Sequence, residues 1–126
     1  MIIGIGTDVV LVSRIEAVLG RQGERFARRI LTADEMQRYL AHSQPARYLA
    51  KRYAAKEAIL KALGTGLAKG MSWHHMQIDN DAQGAPQVVL SGVALERLQQ
   101  GGGGRMLLSL SDEREQALAF AVWSGD

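Results

Sequence analysis

The chain has 126 residues, 47% of them hydrophobic, and a formal net charge of +2. This length accommodates one domain with one modest core, and the composition is that of a folded globular protein rather than a disordered one. The absence of cysteine excludes disulfides, thiolate zinc sites and a cysteine nucleophile. Because the sequence shows no signal-peptide pattern and no apolar run of roughly 20 residues, we expect a soluble, cytoplasmic protein without a membrane contact.

The first predicted element is a β-strand over residues 2–10. Strand alternation gives it one face of larger side chains and one face on which two glycines precede an acid. The two sets are Ile3, Ile5, Thr7 and Val9, and Gly4, Gly6 and Asp8. The glycines leave room beside the carboxylate of Asp8 for another backbone or a ligand. A glycine-weakened strand that ends in an Asp N-cap explains these residues equally well.

Two helices are predicted next, with a basic segment between them. Residues 13–19 indicate a short helix that Gly20 and Gly23 interrupt. Thr32 and Glu35 match a capping box, which predicts a helix over residues 33–41. From Ser13 to Arg29 the chain carries five arginines and two glutamates, a net charge of +3. Such a patch attracts an acidic partner in a salt-dependent way.

The longest predicted helix covers residues 46–63, and it contains no internal glycine or proline. Spacing of 100° per residue brings two small residues, an aromatic residue, an acid and a lysine to one side of it. They are Ala50, Tyr53, Ala54, Glu57 and Lys61. The alanines would let that side pack closely against a neighbour. The spacing of Glu57 and Lys61 alone is more often that of a surface ion pair than that of a site.

The second half of the chain predicts two hairpins and one helix. Short strands cover residues 76–79 and 87–90, a helix capped by Ser91 covers residues 92–99, and the last hairpin pairs residues 106–111 with residues 117–123. Strands and helices mix without regular βαβ alternation. We therefore predict one α+β domain over residues 1–126, in which a mainly antiparallel sheet packs against the long central helix.

The motifs of several common active sites are missing from the sequence, and their absence reduces the number of reactions that the chain could catalyse. It contains no G-x-x-x-x-G-K-[ST] phosphate loop and no G-x-S-x-G elbow, and its three histidines are not spaced as a metal-binding pair. Asp8 and Glu57 remain, with basic residues near them. Mg²⁺ prefers one or two carboxylates together with waters and phosphate oxygens. We therefore predict a magnesium-bound pyrophosphate and a phosphoryl-transfer reaction, with further phosphate charge neutralised by Arg52, Lys56 and Lys61.

The same residues belong to stretches that match one known family in order along nearly the whole chain. These stretches are Gly4–Asp8 with Arg14 and Ile15, Arg28–Thr32 with Glu35, Tyr48–Arg52, Ala55–Ala58, Lys61–Gly66, Asp81, Gly84 and Pro86, and Ser109–Asp112. In them the chain resembles the holo-acyl-carrier-protein synthases, the small single-domain class of 4′-phosphopantetheinyl transferases. The resemblance implies transfer of 4′-phosphopantetheine from coenzyme A to a serine of apo-acyl carrier protein. It also implies release of adenosine 3′,5′-bisphosphate and a role in fatty acid biosynthesis.

The resemblance also implies roles for particular residues. Asp8 and Glu57 would hold Mg²⁺, Glu57 or a metal-bound water would accept the serine proton, and Lys61 would stabilise the departing phosphate. The implied coenzyme A contacts are Arg52, Lys56, Lys61, Gly64, Gly84 and Pro86. The arginines implied to dock the acidic carrier protein are Arg14, Arg21, Arg25 and Arg28. A homotrimer with active sites at its subunit interfaces is implied as well.

Asp112 departs from the pattern, because many family members have a histidine at this position. We favour a turn residue here over a substitute substrate contact. Two other functions fit parts of the sequence. One is a noncatalytic basic module that binds an acidic protein or nucleic acid, and the other is a magnesium-dependent phosphatase. Neither accounts for the whole set of matched residues, so we expect an acidic protein partner and no nucleic acid.

Overall fold

The structure, a computed structural model, describes residues 1–125. Over these residues the chain forms five strands and five α-helices. They are β1 (Ile2–Leu11), α1 (Val12–Gln22), α2 (Glu24–Ile30), α3 (Ala33–Ala41), α4 (Pro45–Leu63), β2 (Met76–Asn80), β3 (Pro86–Leu90), α5 (Gly92–Gln100), β4 (Arg105–Asp112) and β5 (Gln116–Ser124). A 3₁₀ turn at Trp73–His75 precedes β2. The predicted α+β class is confirmed.

The strands form two antiparallel sheets. The larger sheet has the order β1-β5-β4, and the smaller one is the hairpin of β2 and β3. In the larger sheet Asp8 of β1 is opposite Ala119 of β5, and Asp112 of β4 is opposite Ala117. The first strand of the chain therefore lies at an edge of this sheet, where the side chain of Asp8 is free to meet another element.

Helix α4 packs directly against β1, and the two glycines of the strand make this possible. A Cβ atom on Gly4 would lie 2.1 Å from the carbonyl oxygen of Ala62, and one on Gly6 would lie 2.0 Å from that of Ala58. Real Cβ atoms do not approach an oxygen so closely, so only glycine fits at these two positions. The room expected beside the Gly4–Gly6 face is thus filled by the backbone of α4.

Local signals set most helix ends as the sequence predicts. The hydroxyl of Thr32 accepts from the backbone N–H of Glu35, and a carboxylate oxygen of Glu35 accepts from the backbone N–H of Thr32. Pro45 opens α4, and Gly64 closes it in the left-handed conformation with a φ of 79°. The expected break at Gly20 is wrong, because α1 continues to Gln22.

Several apolar side chains are exposed together on the outer face of the three-stranded sheet. The residues pointing outward there include Ile5, which is 61% exposed, together with Ile2, Val9, Leu107 and Phe120. Within residues 1–125 no helix combines the length and the apolar character that crossing a bilayer requires.

Candidate active site

Asp8 and Glu57 line the same cavity, which has a volume of about 300 Å³. Asp8 comes from β1 and Glu57 from α4, and the close packing of these two elements brings both acids to one end of the cavity. The carboxylate of Asp8 is half-buried, and burial raises the pKa of Glu57, with a further increase from the charge of Asp8. Lys61 opposes that increase. Two partly desolvated carboxylates side by side are a site of concentrated negative charge.

Lys61 contacts Asp8 of β1 rather than Glu57, which lies four residues before it on α4. Its Nζ donates to Oδ1 of Asp8 at 3.2 Å and to the carbonyl oxygen of Thr7 at 2.8 Å. Among the residues that the structure describes, Lys61 forms no ion pair with Glu57. The surface pair that the i, i+4 spacing favoured is therefore absent, and the lysine adds a cation to the pair of acids instead.

The rest of the cavity wall is largely apolar. It is formed by Val9, Val10, Ile15, Val18, Phe26 and Tyr53, with Arg14 as its cation. The ring of Tyr53 is held between Phe26 and Trp73, with centroid separations of 6.0 and 5.5 Å. Burial and the charges of Glu57 and Asp8 raise the pKa of the Tyr53 phenol, so it stays a neutral hydrogen-bond donor. The cavity thus combines a charged end with an apolar wall.

The donor set at the charged end fits Mg²⁺ better than a transition metal. Across residues 1–125, no group of three or more His, Cys, Asp or Glu side chains is arranged to hold a metal ion. A full protein cage is therefore not formed by the described residues. Two carboxylates with space beside them are the ligands expected for Mg²⁺, which keeps several waters and takes phosphate oxygens from its substrate.

Lys56 does not lie in this site, although it precedes Glu57 in the chain. Its side chain is completely buried, and its Nζ donates to Oε1 of Glu35 at 2.7 Å, to Ile30 O at 2.7 Å and to Trp73 O at 3.3 Å. All three ammonium protons are used within the protein. This placement corrects the expectation that Lys56 binds the phosphates of coenzyme A.

A second cavity, of about 360 Å³, lies on another side of α4 and is strongly basic. Its walls comprise Arg38, His42, Tyr48, Lys51, Arg52, Asn80, Gly84, Pro86 and Leu110. The guanidinium of Arg52 donates to Oδ1 of Asn80 at 3.0 Å, and Nδ2 of Asn80 donates to the carbonyl oxygen of Gly84 at 3.0 Å. Arg52, Gly84 and Pro86 are thus brought together as predicted.

Two buried polar atoms in this second cavity lack a hydrogen-bond partner within residues 1–125. They are Nε of Arg52 and the hydroxyl of Tyr48, whose residues are only 4% and 7% exposed. Buried polar atoms are nearly always satisfied in native proteins. An unsatisfied pair in a basic cavity therefore indicates a place for a polar, anionic ligand.

Sequence reasoning missed several residues of the second cavity. Tyr48 and Lys51 lie close to Arg52 on α4, so helical spacing could have indicated them. Arg38 and His42 come from α3 and its end, and Asn80 comes from β2. The contacts between these elements form only in the folded chain, so no local pattern signals them.

The remaining predicted residues fall outside the two cavities, except Arg14. Gly64 ends α4 and lines neither cavity among the described residues. Arg21, Arg25 and Arg28 are exposed on α1 and α2. Arg28 pairs with Glu24 at 3.0 Å on the surface.

Asp112 is not a turn residue, so that expectation is wrong. It is the last residue of β4, and its carboxylate lies 3.5 Å from Arg47 and 3.8 Å from Lys51. Arg47 also donates to the carbonyl oxygens of Glu113 and Arg114, which fixes the following turn. Asp112 therefore joins the end of the hairpin to the first turns of α4.

The chain is similar to known proteins over nearly its whole length. Residues 4–121 match the model of a family described as the 4′-phosphopantetheinyl transferase superfamily. The holo-[acyl-carrier-protein] synthase of Shewanella frigidimarina is 51% identical over 121 residues, 96% of each chain. The crystal structure of the corresponding synthase from Neisseria meningitidis has a TM-score of 0.89 and 45% identity, covering 97% of this chain and 98% of that one. A synthase from Bacillus anthracis in complex with CoA (3′,5′-ADP) has a TM-score of 0.80 and 35% identity, covering 97% and 96%.

Proposed function

The chain belongs to the 4′-phosphopantetheinyl transferase superfamily and is an enzyme of the holo-acyl-carrier-protein synthase type, and we propose that its reaction depends on Mg²⁺. The serine hydroxyl of apo-acyl carrier protein attacks the phosphorus that bears pantetheine. A new P–O bond forms to the serine, and the bond to adenosine 3′,5′-bisphosphate breaks. The product serves fatty acid biosynthesis. A cytoplasmic location stays a prediction from the sequence.

The observation that supports this proposal most directly is that Asp8 and Glu57 line the same cavity, while Lys61 contacts Asp8 from outside its lining. Asp8 and Glu57 would hold Mg²⁺, which when bound supplies neutralisation of the pyrophosphate charge. Lys61 can exchange its contact with Asp8 for the departing phosphate, since its side chain is 53% exposed. Glu57 or a metal-bound water accepts the serine proton in this proposal.

The second cavity is proposed to bind the adenosine 3′,5′-bisphosphate half of coenzyme A. Arg38, Lys51 and Arg52 supply positive charge for the phosphates. Gly84 and Pro86 form part of the wall beside them. The Bacillus anthracis synthase, which resembles this chain across nearly its full length, is a complex with CoA (3′,5′-ADP). This supports a nucleotide site on the same fold.

A homotrimer with active sites at its subunit interfaces would allow one coenzyme A molecule to use both cavities. Arg52 and Glu57 are five residues apart on α4, which places them about 140° apart around the helix axis. The two cavities therefore open on different sides of α4, so we propose that one coenzyme A uses the nucleotide cavity of one subunit and the acids of its neighbour. The apolar outer face of the three-stranded sheet supplies a surface for that contact, since soluble monomers rarely expose large apolar patches.

Carrier protein is proposed to dock on the exposed arginines of α1 and α2. Arg14 lines the first cavity, and Arg21, Arg25 and Arg28 continue the basic surface away from it. An acidic partner on this surface would present its serine to Asp8 and Glu57. Because these charges are exposed, they raise the association rate more than they change the chemistry.

Intact-mass analysis of apo-acyl carrier protein, incubated with this chain, coenzyme A and Mg²⁺, tests the proposed function. We expect a gain of one phosphopantetheine group that requires Mg²⁺ and is lost in Glu57→Gln and Asp8→Asn. Coenzyme A hydrolysed without any acceptor would indicate a phosphatase instead. Carrier binding that survives Asp8→Asn and is lost in Arg14→Ala, with no mass gain in the unmodified chain, would indicate a noncatalytic module.

A further inference from the structure

A second ion pair on α4 is not used by the proposed chemistry. Lys56 and Glu35 are both 0% exposed, and their charged atoms lie 2.7 Å apart. Removing two charges from water is costly, so a buried pair persists only when its geometry and its other hydrogen bonds are good. A buried lysine next to a proposed metal ligand therefore requires an explanation.

All three ammonium protons of Lys56 and both carboxylate oxygens of Glu35 are hydrogen-bonded, and the residues involved, including the pair itself, come from five segments of the chain. Lys56 of α4 reaches the last residue of α2, the start of α3 and the 3₁₀ turn, through Ile30 O, Glu35 and Trp73 O. Glu35 also accepts from the backbone N–H groups of Thr32 and Ile78. One ammonium and one carboxylate thus join α4 to α2, α3, the 3₁₀ turn and β2.

The pair holds α4 on the side opposite to its contact with β1. Positions 58 and 62, whose carbonyl oxygens face Gly6 and Gly4, lie about 200° and 240° around the helix from position 56. Glu57 lies about 100° from Lys56, between these two contacts. A helix fixed on both sides cannot rotate about its axis, and its rotation decides whether Glu57 faces Asp8.

We propose that Lys56 is a positioning residue, which with Glu35 fixes the rotation of α4 and thereby holds Glu57 toward Asp8 for metal binding. The inference rests on the proposed function, because it assigns Lys56 a task for the magnesium site. Lys56 has no direct contact with substrate in this assignment, since its ammonium is buried and fully bonded. An apolar side chain of similar size would fill its space, yet it would supply no directional bonds to Ile30 O and Trp73 O.

Mn²⁺ binding in the presence of excess coenzyme A, followed by electron paramagnetic resonance, tests this assignment without relying on turnover. The variants are Lys56→Met and the double variant Glu35→Gln/Lys56→Met. The double variant leaves no unpaired buried charge, so it keeps the test available if Lys56→Met fails to fold. Lys69→Met removes an exposed lysine from a loop and serves as the matched control. Binding of adenosine 3′,5′-bisphosphate in EDTA, measured by calorimetry, reports on the nucleotide cavity alone.

We expect the paired variant to melt cooperatively and to bind Mn²⁺ roughly 10- to 100-fold more weakly than the unmodified chain, as for other residues that orient metal ligands. Its affinity for adenosine 3′,5′-bisphosphate and both affinities of Lys69→Met should stay within about twofold of the unmodified chain.

Two results would overturn the assignment. Unchanged Mn²⁺ affinity in the paired variant would show that the pair only stabilises the fold, and an equal loss of nucleotide affinity would show a direct phosphate contact. If the unmodified chain bound Mn²⁺ no better than Glu57→Gln, the metal site itself would be wrong, and the proposed function would fail with it.

Discussion

Lys56 and Lys61 lie five residues apart on α4, and each pairs with a carboxylate, but the two pairs have opposite surroundings. Lys56 and Glu35 are 0% exposed, whereas Lys61 is 53% and Asp8 17% exposed. The buried pair has no solvent access and therefore cannot exchange partners with a ligand. The exposed pair can do so at small cost. Ion pairs of the same kind on one helix thus have different tasks, and burial decides which task each has.

The largest difference between the two lysines is expected in stability. Lys56→Ala leaves the Glu35 carboxylate buried without its cation, which costs about 3–5 kcal/mol of unfolding free energy, whereas Lys61→Ala costs less than about 1 kcal/mol. Urea unfolding of both variants measures this. Lys61→Ala should fold normally, but it should transfer phosphopantetheine more slowly than the unmodified chain. Equal losses of stability in the two variants would contradict the distinction between Lys56 as a structural residue and Lys61 as an active-site residue.

A second, smaller effect concerns how β1 holds Asp8 against α4. Gly6→Ala forces a methyl group to within 2.0 Å of Ala58 O and should destabilise the fold by about 1–3 kcal/mol. It should also weaken metal binding, because β1 must move away from α4. Gly20→Ala is the control, since nothing lies within 4 Å of a Cβ there and its helix should gain about 0.5–1 kcal/mol. Melting temperatures of both variants decide whether the backbone contact matters.

The smallest effect is a pH dependence at Glu57, which lies near the exposed pair of Lys61 and Asp8. Burial and Asp8 raise the pKa of Glu57, so the folded state favours its neutral form. Charging Glu57 therefore destabilises the fold at pH values above its raised pKa, and this effect disappears as pH falls toward the ordinary value of a glutamate. Without metal, Glu57→Gln should melt at a higher temperature than the unmodified chain at pH 7.5, and the difference should close as pH falls to the ordinary glutamate pKa of 4.5. A difference in melting temperature that does not change with pH would show that the raised pKa of Glu57 is not its cause.

Local signals in the sequence were sufficient for much of the fold. The capping box at Thr32 and Glu35, Pro45 and Gly64 mark helix ends through contacts within a few residues, and each lies where predicted. Gly20 shows the limit of such signals. Its cost of about 1 kcal/mol in a helix is not enough to end α1, which continues to Gln22.

The candidate site was predictable only in part, because its residues meet through tertiary contacts. The glycines before Asp8 correctly indicated close packing beside that strand. The partner of Lys61 was not predictable, since the i, i+4 pattern points to Glu57 and the folded chain supplies Asp8 instead. Likewise, nothing near Lys56 in sequence shows that Glu35 and two carbonyl oxygens surround it.

The contact of Gly4 and Gly6 with Ala62 and Ala58 has a consequence for engineering. The gap between β1 and α4 is set mainly by main-chain atoms touching main-chain atoms, so it does not depend on the shapes of the aliphatic core side chains. Leu49, Leu63 and other aliphatic interior residues could be exchanged for side chains of similar volume without moving β1 relative to α4. The distance between the two acids would be inherited unchanged by such redesigned chains.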